Sequence, residues 1–144
     1  MKYKKFGYVQ ISSKDQDEEQ QIQNMKNLGI EERDIFIDKQ SDQNMKRENY
    51  QILKRLVRTG DTIVLNSLKR LGESMNDVLE EFRYYEKYQV NLQFIKEPFI
   101  NVKYITNDDI HSTIQKDTLR ILSILAEKER YDIERGQAEG VDLG

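Results

Sequence analysis

The sequence predicts an α/β fold in which helices flank a central, mostly parallel sheet. Short apolar runs alternate with longer segments of helical periodicity, in the order β-α-β-α-β-α-β-α. After its first residue, the run Thr62–Leu65 is continuously apolar, which is typical of an inner strand covered on both faces. A chain of 144 residues is the size of one domain.

Four strands and three helices are predicted before a final helix. The strands are Lys5–Ile11, Asp34–Asp38, Thr62–Leu65 and Val90–Ile95, and the helices are Asp17–Leu28, Glu48–Val57 and Met75–Tyr88. Gly29 stands where the C-terminal cap of the first helix belongs. The second helix is expected to turn Tyr50, Leu53, Leu56 and Val57 to one side. Residues 40–46 and 97–112 read as loops.

The last helix is apolar over too wide a face for a helix with one buried side. Its apolar residues run from Ile114 to Ala126, and a charged extension follows to Arg135. A helix of this kind is buried on more than one side. We therefore interpret it as a long C-terminal dimerisation helix rather than a helix of the core alone. Its interface residues are expected to be Leu119, Leu122, Leu125, Ala126, Glu129 and Arg130.

Composition excludes several classes of function. Without cysteine there is neither a disulfide nor a thiolate metal site. The four glycines at 7, 29, 60 and 72 are isolated, which argues against a glycine-rich phosphate loop and so against an unrelated phosphate-binding enzyme. The lone His111 is interpreted as incidental.

The sequence has no membrane-length apolar run and no signal-peptide pattern, so the expected location is cytoplasmic.

Net charge gives little support to nucleic-acid binding by itself. The chain carries a formal charge of −3, whereas DNA-binding proteins usually show a basic excess. Basic residues nevertheless gather around residues 46–47, 54–58 and 69–70. Acidic residues gather at 15–19 and 80–86, and we interpret each of these basic and acidic clusters as an ordinary solvated helix face.

The first strand carries the strongest candidate for chemistry. Its two-residue period turns Tyr8, Gln10 and Ser12 to one face, at the edge of the sheet where ligands sit in parallel α/β folds. Ser12 is a plausible nucleophile. The segment Ser12–Gln16 is equally suited to cap the helix that follows, and the residues alone leave both interpretations open.

Four segments resemble motifs of one family. Residues 8–16 resemble the opening motif of resolvases and invertases, Tyr-x-Arg-Val-Ser-Ser/Thr-x-x-Gln. Residues 35–41, with Arg47 and residues 50–54, form the second match, residues 60–72 the third, and residues 121–130, continuing to Gly140, the fourth. They stand in family order with family spacing. The chain thus resembles the catalytic domain of a serine recombinase, spanning residues 1–144.

The resemblance implies both a reaction and its residues. Ser12 matches the nucleophile that attacks a DNA phosphodiester, leaving a 5′-phosphoserine and a free 3′-hydroxyl. Arginine forks stabilise the charge on the phosphoryl oxygens. The residues that match the family's site are Ser12, Arg47 and Arg70, with Lys54 as a supporting cation. Tyr8 and Gln16 match positions that line the site. Asp38 and Asp61 match acidic positions of the family, and the resemblance leaves their roles open. The implied partners are DNA and a second copy, as a homodimer that forms a tetramer in an active synaptic complex. The reaction needs no metal and no cofactor.

Three positions depart from the family pattern. Gln10 stands where the family has arginine, Lys69 where it has aspartate, and Glu73 where it has arginine. Losing one preorganised donor typically costs a factor of about 10²–10³ in rate. We therefore expect a recombinase domain with impaired cleavage. The alternative is an inactive resolvase-like module that pairs with itself or with an active recombinase. The family's separate DNA-recognition domain, a helix-turn-helix, is expected to be absent after Gly140.

Overall fold

A four-stranded, all-parallel sheet forms the centre of the computed structural model, which describes residues 3–12, 18–40, 47–104, 117–125 and 127–128. The strands lie in the order β2-β1-β3-β4. Their bounds are Lys5–Ser12 for β1, Ile35–Gln40 for β2, Thr62–Leu65 for β3 and Asn91–Phe94 for β4. The predicted α/β fold with a parallel sheet is confirmed.

Three helices connect these strands. They are α1 (Glu18–Asn27), α2 (Glu48–Leu56) and α3 (Met75–Tyr88), and residues 117–125, helical as well, are named α4. Strand and helix bounds agree with the predicted ones to within two residues. Residues 41–46, His111, Glu129 and Arg130 and the side chain of Ala126 lie outside the described residues, so the full length of the predicted dimerisation helix stays a prediction.

The two faces of β1 are buried against different helices. Phe6 and Tyr8 pack in one core cluster with side chains of α2 and α3. Val9 and Ile11 pack in the other with Met25 of α1. A Cβ atom on Gly7 would lie 3.1 Å from the Met25 sulfur, so the glycine allows α1 to approach the sheet closely. The predicted alternation along β1 is confirmed from Phe6 to Ile11.

Helix ends and faces follow the sequence with one exception. Gly29 has a φ of 85° and its N–H donates to the Lys26 carbonyl over 2.9 Å, which confirms the C-terminal cap of α1. On α2, Tyr50 and Leu53 are fully buried, but Leu56 is half exposed. The prediction for Leu56 was wrong because it lies six residues after Tyr50, about 240° around the helix.

Four tyrosines, three of them buried and one partly buried, are expected to make the free energy of unfolding fall at alkaline pH. Burial is the main cause that raises the pKa of Tyr8, Tyr50, Tyr85 and Tyr104 above the ordinary value of 10.0. Below that value both states keep the proton. Above it the unfolded chain loses protons that the folded chain retains, so each tyrosine lowers the free energy of unfolding by up to about 1.4 kcal/mol per pH unit.

Tyrosinate absorbance during an alkaline titration measures this effect. Some of the eight tyrosines should ionise gradually, while these four ionise only in a cooperative step that coincides with loss of helical circular dichroism. Smooth ionisation of all eight with the helical signal intact would contradict the expectation.

Candidate active site

The carboxyl ends of β1 and β2 bring the sequence-predicted residues together. Ser12, the last residue of β1, pairs in register with Gln40 of β2, and Gln10 pairs with Asp38. The Ser12 side chain and Gln16 lie outside the described residues. Because partners in register point to the same face, Gln10 and Asp38 share the face of β1 on which Tyr8 lies.

Asp38 caps α2 from the neighbouring strand. The carboxylate is buried, and its Oδ1 accepts from the Asn49 N–H over 2.9 Å. Its Oδ2 accepts from the Tyr50 N–H over 3.0 Å and from the Tyr8 hydroxyl over 2.9 Å. Arg47, at the N-cap position, makes no side-chain capping bond. Asp38 therefore satisfies the first turn of α2 and places an anion at the positive end of the helix dipole.

Tyr8 contacts Asp38 through its hydroxyl. The side chain is fully buried, and burial, followed by the Asp38 carboxylate, raises its pKa. Tyr8 is therefore a neutral hydrogen-bond donor at every physiological pH. In the described structure it positions Asp38 from inside the core.

Arg47 is held against the turn that follows β3. Its Nη1 donates to the Arg70 carbonyl over 2.9 Å, and its Nη2 donates to the Leu71 carbonyl over 3.1 Å. The guanidinium also lies over the Tyr50 ring, 4.0 Å from the centroid. Arg47 and Arg70 are thus neighbours, and Arg70 contributes its backbone carbonyl to the contact.

The turn that carries Arg70 is held by a hydrogen bond to Glu97, in the segment that follows β4. Leu68–Arg70 forms a single 3₁₀ turn, and the Leu68 N–H donates to Oε1 of Glu97 over 2.8 Å. Lys69, a substituted family position, is exposed on this turn. Sequence reasoning missed Glu97 because it lies in a stretch interpreted as an irregular loop.

Lys54 is bound by a carboxylate that sequence reasoning also missed. Its Nζ lies 2.6 Å from Oε2 of Glu81 and 4.3 Å from the centre of the Tyr84 ring. Glu81 is buried, so interpreting residues 80–86 as a solvated face was wrong for this residue. A signal was present, because Glu81 lies three residues after Val78 and four before Tyr85 on the apolar side of α3.

A pocket of about 300 Å³ opens beside Arg47 and Lys54. It is lined by Gly72 and by six charged residues: Arg47, Lys54, Glu73, Asp77, Glu80 and Glu81. Two cations thus face four carboxylates. Glu73, which stands where the family has arginine, adds negative charge beside Arg47. The pocket is therefore less favourable to a phosphate than the family pattern implies.

Asp61 is not part of this site. It precedes β3, at the amino end of the sheet, where its Oδ1 accepts from the Lys4 N–H and its Oδ2 from the Arg58 N–H, both over 2.9 Å. Ser12 ends β1 at the opposite edge. Asp61 joins the start of β1 to the start of β3, which is a structural role.

The comparisons with known proteins agree with this fold. The sequence profile of the family described as "Resolvase, N terminal domain" matches residues 5–143. The chain belongs to the resolvase family. The chain is 30% identical to the transposon Tn21 resolvase of Escherichia coli over 139 residues, which are 96% of this chain and 69% of that protein. It is also 30% identical to the transposon Tn3 resolvase of Escherichia coli over 135 residues, 94% of this chain and 68% of the relative.

A solved structure extends the comparison to the fold of this resolvase-family chain. A resolvase family site-specific recombinase from Streptococcus pneumoniae superimposes with a TM-score of 0.62 at 22% identity, covering 96% of this chain and 95% of that one. Within the ranges that the structure describes, no helix has the length and apolarity needed to cross a membrane. Within the same ranges, no group of three or more His, Cys, Asp or Glu side chains could hold a metal ion.

Proposed function

We propose that this chain is the catalytic and dimerisation domain of a site-specific DNA recombinase whose cleavage step is weakened. The observation that carries the proposal is Arg47, which is fixed at the start of α2 against the turn that follows β3, at the edge of the sheet where β1 and β2 end. Membership of the resolvase family supports the same assignment.

In the proposed reaction the Ser12 oxygen attacks a DNA phosphorus. The new bond forms as the bond from phosphorus to the 3′ oxygen breaks, and a 5′-phosphoserine remains on the protein. The serine gives up its proton and the 3′ oxygen gains one, so the reaction consumes no co-reactant. Arg47 would stabilise the charge on the non-bridging oxygens, because a planar guanidinium can bind two of them at once.

The weakened cleavage follows from the negative charge around the site. Four carboxylates line the pocket beside Arg47, and Glu73 occupies a position at which the family has a cation. Gln10 replaces another cation on the face that holds Asp38. A phosphate entering this site meets less positive charge at the moment when its own negative charge is concentrated.

Covalent adducts with DNA test the proposal. Supercoiled DNA is incubated with the protein, the reaction is stopped with denaturant, and protein-linked DNA is separated on a denaturing gel. We expect a small yield of adduct that Ser12→Ala abolishes and that the neighbouring Ser13→Ala retains. An adduct that survives Ser12→Ala would refute Ser12 as the nucleophile, and an abundant adduct would refute the weakening.

A second candidate function, a non-catalytic pairing module, is favoured by α4. Leu122 is 3% exposed in the core, and Leu119 packs against it, whereas Ile121, Ile124 and Leu125 are 55%, 59% and 41% exposed. One apolar side of α4 therefore packs inside the domain, and the other is suited to a second copy or an active recombinase. Complete absence of Ser12 adducts, with concentration-dependent dimers in sedimentation velocity, would favour this function.

A further inference from the structure

One buried carboxylate interacts with both candidate phosphate-binding cations. Oε2 of Glu81 lies 2.6 Å from the Lys54 Nζ, and Oε1 lies 3.8 Å from Nη2 of Arg47. The three side chains are 11%, 21% and 18% exposed, so water screens their interaction only partly. All three line the pocket beside α2 and α3.

A carboxylate and a phosphate satisfy the same donors. Both are anions whose oxygens accept charge-assisted hydrogen bonds from lysine and arginine. A Lys54 ammonium that holds Glu81 at 2.6 Å has to leave it, or share it, before contacting a phosphate in the pocket. The ion pair therefore opposes phosphate binding by the free energy needed to separate a partly buried pair.

We propose that Glu81 is an internal competitor of DNA phosphate: it occupies Lys54 and faces Arg47, and so lowers the affinity of this pocket for DNA. The proposal rests on the proposed function, because it assumes that the pocket receives a DNA phosphate. Glu81 does not touch the reacting atoms. It sets how much positive charge the site offers, and so acts as an affinity-determining residue through its two neighbours.

The matched pair of variants is Glu81→Gln and Glu80→Gln. Both remove one negative charge and keep the side-chain size, and both positions line the same pocket. Glu80 is exposed, whereas Glu81 is paired with Lys54. Binding of a short mixed-sequence DNA duplex is measured by fluorescence anisotropy across a series of salt concentrations, with circular dichroism to verify folding.

Glu81→Gln is expected to bind the duplex about tenfold more tightly at low salt, the effect of one additional charge-assisted hydrogen bond. The slope of log affinity against log salt should steepen by about 0.9, which corresponds to one more phosphate contact. Glu80→Gln also removes a negative charge from the pocket, but it is expected to raise affinity by less than about twofold and to keep the slope. Its exposed charge is partly screened, and only Glu81 pairs with Arg47 and Lys54.

The variant Arg47→Gln distinguishes a failure of the role of Glu81 from a failure of the proposed function. If Arg47→Gln weakens DNA binding but Glu81→Gln does no more than Glu80→Gln, the pocket binds phosphate and the role of Glu81 is refuted. If Arg47→Gln binds as tightly as the unaltered protein, the pocket does not receive DNA and the proposed function fails with it.

A second comparison tests the same competition if Glu81→Gln does not fold. Replacing the pair by Lys54→Met with Glu81→Met gives an apolar contact of similar length, a change that folded proteins often tolerate. This double variant should bind DNA more tightly than Lys54→Met alone. In the single variant the Glu81 carboxylate remains and still competes with phosphate for Arg47. Equal or weaker binding by the double variant would refute the competition.

Discussion

The double substitution Gln10→Arg with Glu73→Arg is expected to raise the yield of Ser12-linked DNA adducts by about 100-fold or more. Each change supplies a guanidinium at a position where the resolvase family has one, and one preorganised donor is worth a factor of about 10²–10³. Glu73→Arg also reverses a charge that lines the pocket of Arg47. Gln10→Arg would have the buried Asp38 carboxylate as its neighbour on β2. Adduct yield is measured on the denaturing gel described above.

The matched control replaces the same two residues by lysine. Gln10→Lys with Glu73→Lys restores the same charge without the planar fork, so its gain should be clearly smaller. Each single variant is measured as well, because the effects of substituting residues that act together are not always additive. Equal gains from the lysine pair would show that charge alone limits cleavage. No gain from the arginine pair in a folded protein would contradict the expectation.

Asp38→Ala is expected to lower the free energy of unfolding by about 3–5 kcal/mol. The carboxylate is buried and accepts from the Tyr8 hydroxyl and from two N–H groups at the start of α2. Removing it leaves the Tyr8 hydroxyl and the Tyr50 N–H without this acceptor inside the protein, and α2 loses its cap. Urea denaturation followed by circular dichroism measures the change.

Asp34→Ala is the control for this loss. Asp34 directly precedes β2, and its carboxylate pairs over 3.2 Å with Lys4, whose side chain is 53% exposed. Such a pair contributes about 0–1 kcal/mol. If the two alanine variants lose the same stability, Asp38 does not anchor α2.

Periodicity was enough to predict the elements of the fold. The alternation on β1, the continuous apolarity of β3 and the apolar positions of α3 each depend on neighbours in sequence, and each is confirmed. Gly29 at the end of α1 is a local signal of the same kind. Leu56 shows the limit, because a helix face depends on angular position as well as on the presence of apolar residues.

The site was less predictable because its contacts are distant in sequence. Lys54 and Glu81 are 27 residues apart, and no local pattern pairs them. Asp38 caps a helix that begins ten residues later, whereas capping motifs in a sequence are read next to the helix itself. The position of Asp61, by contrast, was predictable, because a residue that directly precedes a strand of a parallel sheet lies at the amino end, away from Ser12.

The far edge of the sheet has a consequence for association between chains. Past β4, Val102 returns antiparallel to Leu92 and exchanges both backbone hydrogen bonds with it, over 3.0 and 2.8 Å. At that point the β4 backbone is occupied, so a foreign strand cannot extend the ladder there. Association with another chain at that point of the sheet would therefore have to use side-chain surfaces instead of a shared sheet.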